Sequence, residues 1–237
     1  MKYLEISKSI IYFEFQSAFM DTQNQHLDAL QDIKKMMERS SRFISLSGLS
    51  GIAAGICGLT SAFIAHRIIQ GYYHFYDARG YWTKNDFKEL EIKLFILGIG
   101  TMIIALLFGF YFTWKKARKH KANIWNTSSK RLLINVFIPL MAGGVFVCGM
   151  LANNEWLFTG PACLIFYGLA LINGSKYTLD DIRYLGILEI VLGSFNFIYI
   201  GYGLYFWAVG FGVLHIIYGI IMWNKYERKE EILQDKS

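Results

Sequence analysis

LGILEIVLGSFNFIYIGYGLYFWAVGFGVLHIIYGIIMW, residues 185–223, is the stretch that decides the fold. Among its apolar and aromatic residues are one acid, Glu189, one histidine, His215, and one amide, Asn196. A single helix of this length would run for about 60 Å, roughly twice the hydrocarbon thickness of a bilayer. The stretch therefore predicts two membrane helices folded back on each other, with a tight turn near residues 202–207.

The whole composition is typical of a membrane protein. Apolar residues make up 54% of the 237-residue chain and charged residues 18%, fewer charges than in an average soluble chain. The apolar runs predict an all-α fold, a six-helix transmembrane bundle with a cytoplasmic N-terminal stem helix. The predicted spans lie at about residues 43–65, 92–114, 132–152, 156–172, 185–203 and 206–223.

The two ends of the chain are predicted to lie outside the bilayer. Residues 1–42 are interpreted as an N-terminal arm followed by a juxtamembrane helix, and residues 224–237 as a cytoplasmic tail. Met20 is a candidate alternative start, so residues 1–19 are interpreted as an upstream extension or an arm. Acidic and basic residues interrupt this N-terminus, which is therefore not expected to be a signal peptide.

Lysine and arginine are divided unevenly between the two sides of the predicted spans. Counted in the connections and in the tail residues near the spans, one side holds 16 of them, seven in the loop 115–131, and the other side holds five. Cytoplasmic loops carry the excess in membrane proteins, so both termini are predicted to be cytoplasmic. The net charge of +6 follows this pattern, and no nucleic-acid partner is expected. The loop 115–131 either binds anionic lipid or is an ordinary inside-facing loop.

Small residues recur along one face of the first span. Gly48, Gly51, Gly55 and Gly58 are three or four positions apart, and Gly51 with Gly55 forms a GxxxG pair. Such faces let membrane helices approach closely. We expect another helix to pack here, from the same chain, from a second copy or from a membrane-protein partner.

A few polar residues inside the spans are candidates for a functional site: Glu189, His215, Tyr218, Asn196 and Asn135. Antiparallel fifth and sixth helices can bring Glu189 and His215 together at a shallow depth. Ionisable groups within a span are costly unless paired, and they often mark a substrate pathway or a proton relay. The alternative is a structural hydrogen bond that only fixes the packing of the last two helices.

Signatures of soluble enzymes and metal sites are missing from the sequence. There is no HExxH, GxSxG or P-loop motif, and the three cysteines lie in apolar segments without metal-ligand spacing. No catalytic residue, metal or cofactor is therefore predicted.

A weak internal repeat occurs at an offset of 51 residues. The matching positions are Trp156 with Trp207, Tyr167-Gly168 with Tyr218-Gly219, and Asn173 with Asn224. They indicate either a repeated helical hairpin, with the two copies in parallel, or a coincidence in a chain rich in glycine and aromatic residues.

Two segments stand out by their small and aromatic residues: SRFISLSGLSGIAAGICGL at residues 41–59 and FWAVGFGVLHIIYGIIMWNKYER at residues 206–228. Together they resemble a family of small uncharacterised polytopic inner-membrane proteins of bacteria. The resemblance covers most of the chain after Met20. It implies a location in the bacterial cytoplasmic membrane and brings no known activity and no functional residues.

Three functions remain open from the sequence. The favoured one is a non-catalytic membrane module that senses, anchors or regulates a partner, because the first span has a packing face and catalytic motifs are missing. The first alternative is a small-solute or proton-coupled permease that uses Glu189 and His215. The second alternative is a membrane-embedded enzyme acting on a lipid-like substrate.

Overall fold

The computed structural model describes residues 47–80, 84–119 and 125–228, and within these ranges all regular structure is helical. The predicted arm and stem over residues 1–42 and the end of the tail, residues 229–237, lie outside the described residues. A 3₁₀ turn, Trp156–Phe158, leads into the fourth helix. The helices are α1 (Gly48–Arg79), α2 (Lys84–Lys119), α3 (Thr127–Ala152), α4 (Thr159–Ser175), α5 (Ile182–Ile198) and α6 (Gly203–Glu227).

Five helices, all except α5, are long and apolar enough to cross a membrane. Helix α5 has 17 residues and therefore runs for about 25 Å. Helices α1 and α2 have 32 and 36 residues, well beyond the roughly 20 that a bilayer requires. The connection predicted at residues 66–91 is accordingly mostly helix. It turns at Gly80, whose φ of 73° is the left-handed conformation that commonly ends a helix.

The run 185–223 forms two helices, but its turn lies earlier than the sequence predicts. Helix α5 ends at Ile198 and α6 begins at Gly203. The reason is Gly201, which adopts a φ of 103° that residues with a side chain rarely reach. The aromatic residues 205–207, predicted to lie in the turn or directly after it, belong to the first turns of α6.

The helices pack in an order that differs from their order in the chain. Helix α1 packs between α2 and α6, and α6 also contacts α4 and α5. Helix α4 packs against both α3 and α5. The long apolar surfaces of α2 and α3 stay largely exposed, as expected for side chains that face lipid.

The glycine face of the first span packs against α6 of the same chain. A Cβ atom on Gly51 would lie 3.1 Å from the Cα of Gly219, and one on Gly55 would lie 2.7 Å from the carbonyl oxygen of Gly212. Gly48 and Gly58 meet the same helix. Of the predicted alternatives, the intramolecular one applies to this face, so a partner helix would need another face of α1.

Helices α4 and α5 approach each other in a similar way. A Cβ on Gly168 would lie 2.5 Å from the carbonyl oxygen of Gly186, and one on Gly186 would lie 2.7 Å from that of Gly168. Such contacts let backbones replace side chains at the interface and gain dispersion energy over a large area. They hold the side chains of the site, described below, in a fixed register.

Glu227, at the end of α6, joins three helix ends. Its carboxylate accepts hydrogen bonds from the backbone N–H of Gly48, at 2.6 Å, and from the hydroxyl of Ser47, at 3.3 Å. The Nζ of Lys116, near the end of α2, lies 3.4 Å away. A carboxylate at the start of α1 also complements the positive end of the helix dipole. The start of α1 and the ends of α2 and α6 therefore lie on one side of the molecule.

Asp181 attaches the start of α5 to the same side. Its carboxylate accepts hydrogen bonds from Lys225, at 2.7 and 3.0 Å, and from the hydroxyl of Tyr226, at 2.7 Å. Partial burial alone would raise the pKa of Asp181, but the hydrogen bonds and charge of Lys225, with the hydrogen bond of Tyr226, lower it below its ordinary value.

Candidate functional site

Helix α5 buries a face that carries two polar side chains. Glu189 is 0% exposed and Asn196 is 1% exposed, and seven residues, or two helical turns, separate them. The other buried positions of α5 are apolar or glycine, namely Ile182, Leu185, Gly186 and Gly193. The sequence thus places two hydrogen-bonding groups inside an otherwise apolar contact with α4 and α6.

His215 of α6 is held by two hydrogen bonds that define its tautomer. Its Nδ1 lies 2.9 Å from the carbonyl oxygen of Gly210, which can only accept, so Nδ1 carries a hydrogen. Its Nε2 lies 2.7 Å from the hydroxyl of Tyr167 in α4. When the imidazole ring is neutral, Tyr167 donates this bond and Nε2 accepts it.

Glu189 faces His215 without a hydrogen bond to it. Its Oε1 lies 3.5 Å from Nδ1 of His215, but the Nδ1 hydrogen is directed at Gly210. Neither carboxyl oxygen of Glu189 has a hydrogen-bond partner among the described residues. The contact is therefore electrostatic. A buried carboxyl group in this state costs several kcal/mol relative to one in water.

A local distortion of α6 accompanies this geometry. Residues Ala208–Leu214 form a π-helical segment, in which the spacing of hydrogen-bonded backbone groups widens from four residues to five. The side chain of His215, directly after this segment, reaches back to the carbonyl oxygen of Gly210, five residues earlier. Gly210 also provides the space, because a Cβ there would lie 2.6 Å from Oε2 of Glu189 and 2.5 Å from a methyl group of Leu164.

Aromatic rings pack around the imidazole of His215. The ring of Tyr167 stacks on it with centroids 5.4 Å apart, and Phe211 packs against Tyr167 at 5.1 Å. Trp207 in turn contacts Phe211 at 4.5 Å. This packing fixes the orientation of the Tyr167 hydroxyl and keeps the site apolar except for its three polar side chains.

The polar site predicted from the sequence is thus divided. Glu189 and His215 are brought together, whereas Asn135 pairs with a residue of α4. The side-chain Nδ2 of Asn173 donates a hydrogen bond to the backbone carbonyl oxygen of Asn135, at 2.8 Å. The reason is that α3 packs against α4 and leaves the contact with α5 to α4. The hydroxyl of Tyr218, one turn from His215, is buried without a hydrogen-bond partner in the described part of the chain.

Asn196 occupies a separate position near the starts of α4 and α6. A Cβ on Gly160 would lie 3.2 Å from its Oδ1, and one on Gly203 would lie 3.8 Å from the same atom. Both polar atoms of Asn196 and the hydroxyl of Thr159 are buried, and none has a hydrogen-bond partner within the described ranges.

Two members of the site were not predicted as such from the sequence. Tyr167 appeared only as one half of the repeat with Tyr218, although a tyrosine in the middle of a span needs a partner for its hydroxyl. Gly210 depends on the π-helical segment, which helical periodicity does not predict.

Chemically, Glu189, His215 and Tyr167 form a continuous row of groups that can gain, lose or share protons. When Glu189 has lost its proton and His215 has gained a second hydrogen at Nε2, the 3.5 Å contact between Oε1 and Nδ1 becomes an ion pair.

No family model, curated protein or solved structure matches the chain.

Proposed function

We propose that all six helices cross a bacterial cytoplasmic membrane and that both termini lie in the cytoplasm. The proposal is supported by the contacts of Glu227 and Asp181, which join helix ends on the side that is rich in lysine and arginine. Exposed basic residues on this side are Lys115, Arg118, Lys119, Lys130, Arg131, Lys176, Arg183, Lys225 and Arg228. The positive-inside rule assigns such a side to the cytoplasm.

Within this topology the protein acts as a small proton-coupled permease whose proton site is Glu189 with His215. One observation carries this assignment: a fully buried carboxyl group with no hydrogen bond lies 3.5 Å from an imidazole. A side chain that served packing alone would be better replaced by an apolar residue of similar volume. A group that must change its protonation state cannot be replaced in this way.

The mechanism follows from the hydrogen bonds of His215. In one state Glu189 holds the proton, and the neutral imidazole accepts from Tyr167. In the other state Glu189 has released its proton and His215 carries a second hydrogen, on Nε2, so the imidazolium donates to Tyr167 and Gly210 and attracts the Glu189 carboxylate. The two states differ in charge at the contact between α5 and α6, so protonation changes the force between these helices.

A second candidate function is the sensing, anchoring or regulatory module. It is favoured by the tight backbone contacts of α1 with α6 and of α4 with α5, which make the core compact. In that case the Glu189–His215 pair detects pH by changing helix packing, and nothing crosses the membrane.

The lipid bilayer is the first partner in either case. We propose that the segment 115–131 also binds anionic lipid headgroups, although residues 120–124 lie outside the described ranges. Support comes from the guanidinium of Arg118, which lies 5.5 Å from the ring centre of Trp114, a pairing that suits the headgroup region.

Proton movement tests the function directly. The purified protein is reconstituted into liposomes that contain a pH-sensitive dye, and a potassium gradient with valinomycin imposes a membrane potential. We expect the wild-type protein to move protons and Glu189→Gln, which keeps the shape of the side chain, to do so at least about tenfold more slowly. The matched control is Glu155→Gln, because Glu155 is an exposed acid before α4.

The two candidate functions give different results in this assay. A permease loses proton movement in Glu189→Gln and keeps it in Glu155→Gln. Wild-type liposomes that move no more protons than empty ones contradict the assignment of Glu189 and His215 as a site of proton movement. A pH-dependent change in tryptophan fluorescence that Glu189→Gln abolishes would then support the sensing module.

A further inference from the structure

We infer that Asn196 and Thr159 form a second binding site, for a small uncharged molecule that carries both a hydrogen-bond donor and an acceptor. This inference rests on the proposed permease function and assigns the solute class that such a permease would carry. The site lies where the starts of α4 and α6 meet α5, apart from the Glu189–His215 pair.

The first observation is a set of unused hydrogen-bonding groups. Asn196 is 1% exposed, and neither its Oδ1 nor its Nδ2 has a hydrogen-bond partner among the described residues. The buried hydroxyl of Thr159 is in the same condition. A buried amide without partners is unfavourable, so a ligand that satisfies these groups gains free energy of binding from them.

The second observation is the close approach of two backbones to the amide. Gly160 and Gly203 come from two different helices and carry no side chain, and a Cβ added to each would lie 3.2 and 3.8 Å from Oδ1 of Asn196. The backbones of the same two glycines approach each other, since a Cβ on Gly160 would lie 3.6 Å from the Cα of Gly203. Any ligand here is small.

The third observation concerns charge. The segments that meet around Asn196, residues 156–164, 192–200 and 202–207, contain no Asp, Glu, Lys, Arg or His. An ion in this place would have no side chain of opposite charge to offset its desolvation. The amide offers two donor hydrogens and one acceptor oxygen, and the hydroxyl offers one of each. The complementary ligand is therefore neutral and hydrogen-bonds in both directions.

The position of this site fits a coupled mechanism. Glu189 and Asn196 are two turns apart on the buried face of α5, about 10 Å along the helix axis. On α6, Gly210 faces Glu189 and Gly203 faces Asn196, and these two glycines are also seven residues apart. The solute site and the proton site thus share the contact between α5 and α6, and a change in that contact at one site reaches the other.

The test uses urea as the probe, because it is small, neutral and both donates and accepts hydrogen bonds. Proteoliposomes loaded with a millimolar concentration of unlabelled urea are diluted into a trace of radiolabelled urea at equal pH on both sides. Exchange under these conditions does not depend on proton movement. We expect wild-type protein to accelerate the exchange over empty liposomes and Asn196→Leu to slow it about tenfold.

Thermal unfolding in detergent separates binding from packing. Leucine has the same branched side-chain skeleton as asparagine and leaves no unsatisfied polar atom, so Asn196→Leu should keep the melting temperature while exchange falls. If that variant does not fold, Thr159→Val supplies the same comparison with an isosteric change. The matched control is Ser194→Ala, which removes an exposed hydroxyl that bonds only to its own helix at Ile190.

Each outcome decides the assignment. Slower exchange in Asn196→Leu or Thr159→Val at an unchanged melting temperature supports it. Wild-type protein that moves protons but not urea overturns the solute site and leaves the proton site standing. Equal exchange in wild-type and Asn196→Leu protein overturns the role of Asn196. Exchange of urea without any proton movement supports the solute site and contradicts proton coupling.

Discussion

At the scale of single residues, removal of the hydroxyl of Tyr167 tests whether protons move along Glu189, His215 and Tyr167. It is the partner of His215 Nε2, at 2.7 Å. Tyr167→Phe keeps the ring that packs against Phe211 and His215 and removes only this bond. We expect proton movement in liposomes to fall roughly tenfold, with a loss of stability of about 1 kcal/mol.

A purely structural tyrosine gives another result. The melting temperature of Tyr167→Phe would fall while proton movement stayed at the wild-type rate. The ring-removing change Tyr167→Leu serves as the comparison, because it also loses the stacking on His215 and should destabilise the protein further.

Asp181 gives a prediction about pH. Its pKa in the folded protein is lowered, so the unfolded chain binds the proton more tightly. The stability from its bonds to Lys225 and Tyr226 is therefore complete above the ordinary carboxyl range and is lost as pH falls through the lower folded-state pKa. At pH 7 we expect the free energy of unfolding of the wild-type protein to exceed that of Asp181→Asn by up to about 1 kcal/mol. The difference is small because Lys225 is half exposed and solvent screens the ion pair.

The measurement is thermal unfolding in detergent over a series of pH values. The difference between wild-type and Asp181→Asn protein should shrink below about pH 4, where the carboxyl group begins to gain its proton. Asp77→Asn, at an exposed position of α1, is the control and should show no such difference. A difference that grew as pH fell would refute the assigned sign.

Residue types predicted part of the site because charge inside a membrane is conspicuous. Glu189 and His215 were identified in this way, and the antiparallel order of α5 and α6 brings them together. Tyr167 was not identified, because a tyrosine within a span reads as apolar and its hydroxyl has no separate signature. Asn135 was grouped with Glu189 by depth but contacts Asn173 of α4, because depth in the membrane does not determine which helix a side chain faces.

At the scale of helices, the contact between α1 and α6 predicts opposite effects for two glycines of the same helix. A Cβ on Gly55 would lie 2.6 Å from Ile216 and 2.7 Å from the Gly212 oxygen, whereas one on Gly71 meets nothing within 4 Å. We expect Gly55→Ala to destabilise the protein by about 1 to 3 kcal/mol through overpacking. Gly71→Ala should be neutral or stabilise by up to about 1 kcal/mol, because alanine is the better helix former.

The comparison needs only melting temperatures of the two variants in the same detergent. Equal effects of both substitutions would mean that helix propensity, and not the contact with α6, decides the outcome. A larger loss for Gly71→Ala would contradict the packing of α1 described above.

Apolar runs predicted the number of helices better than their limits. Helix α1 continues beyond residue 65, and α2 begins before residue 92. Both extensions contain many polar side chains, so hydropathy places these two limits too close to the apolar cores of the helices. The turn near Gly201 and the π-helical segment both depend on backbone geometry. Neither leaves a periodic pattern in the residues.

At the scale of the whole molecule, the sidedness of the chain can be measured with cysteine labelling. After replacement of Cys57, Cys148 and Cys163 by alanine, Glu155→Cys and Lys176→Cys place single thiols at exposed positions on either side of α4. In intact cells that express the protein, a membrane-impermeant maleimide should label Glu155→Cys only. Lys176→Cys should react after the cells are permeabilised.

Two other labelling patterns are informative. Labelling of Lys176→Cys alone in intact cells would reverse the orientation and place the basic side outside. Equal labelling of both would mean that α4 does not cross the membrane. The unequal distribution of lysine and arginine predicts this sidedness, but it cannot predict that α1 packs on α6, because a glycine stripe suits a partner chain equally well.

The hydrogen bond from Gly48 to Glu227 has a consequence for biosynthesis, because it joins residues 179 positions apart. A ribosome adding 5 to 20 residues per second needs about 10 to 40 s to cover that distance. Throughout this interval the first helix lacks its final neighbour, and its glycine stripe is uncovered. An unfinished chain thus displays a surface that the finished one conceals.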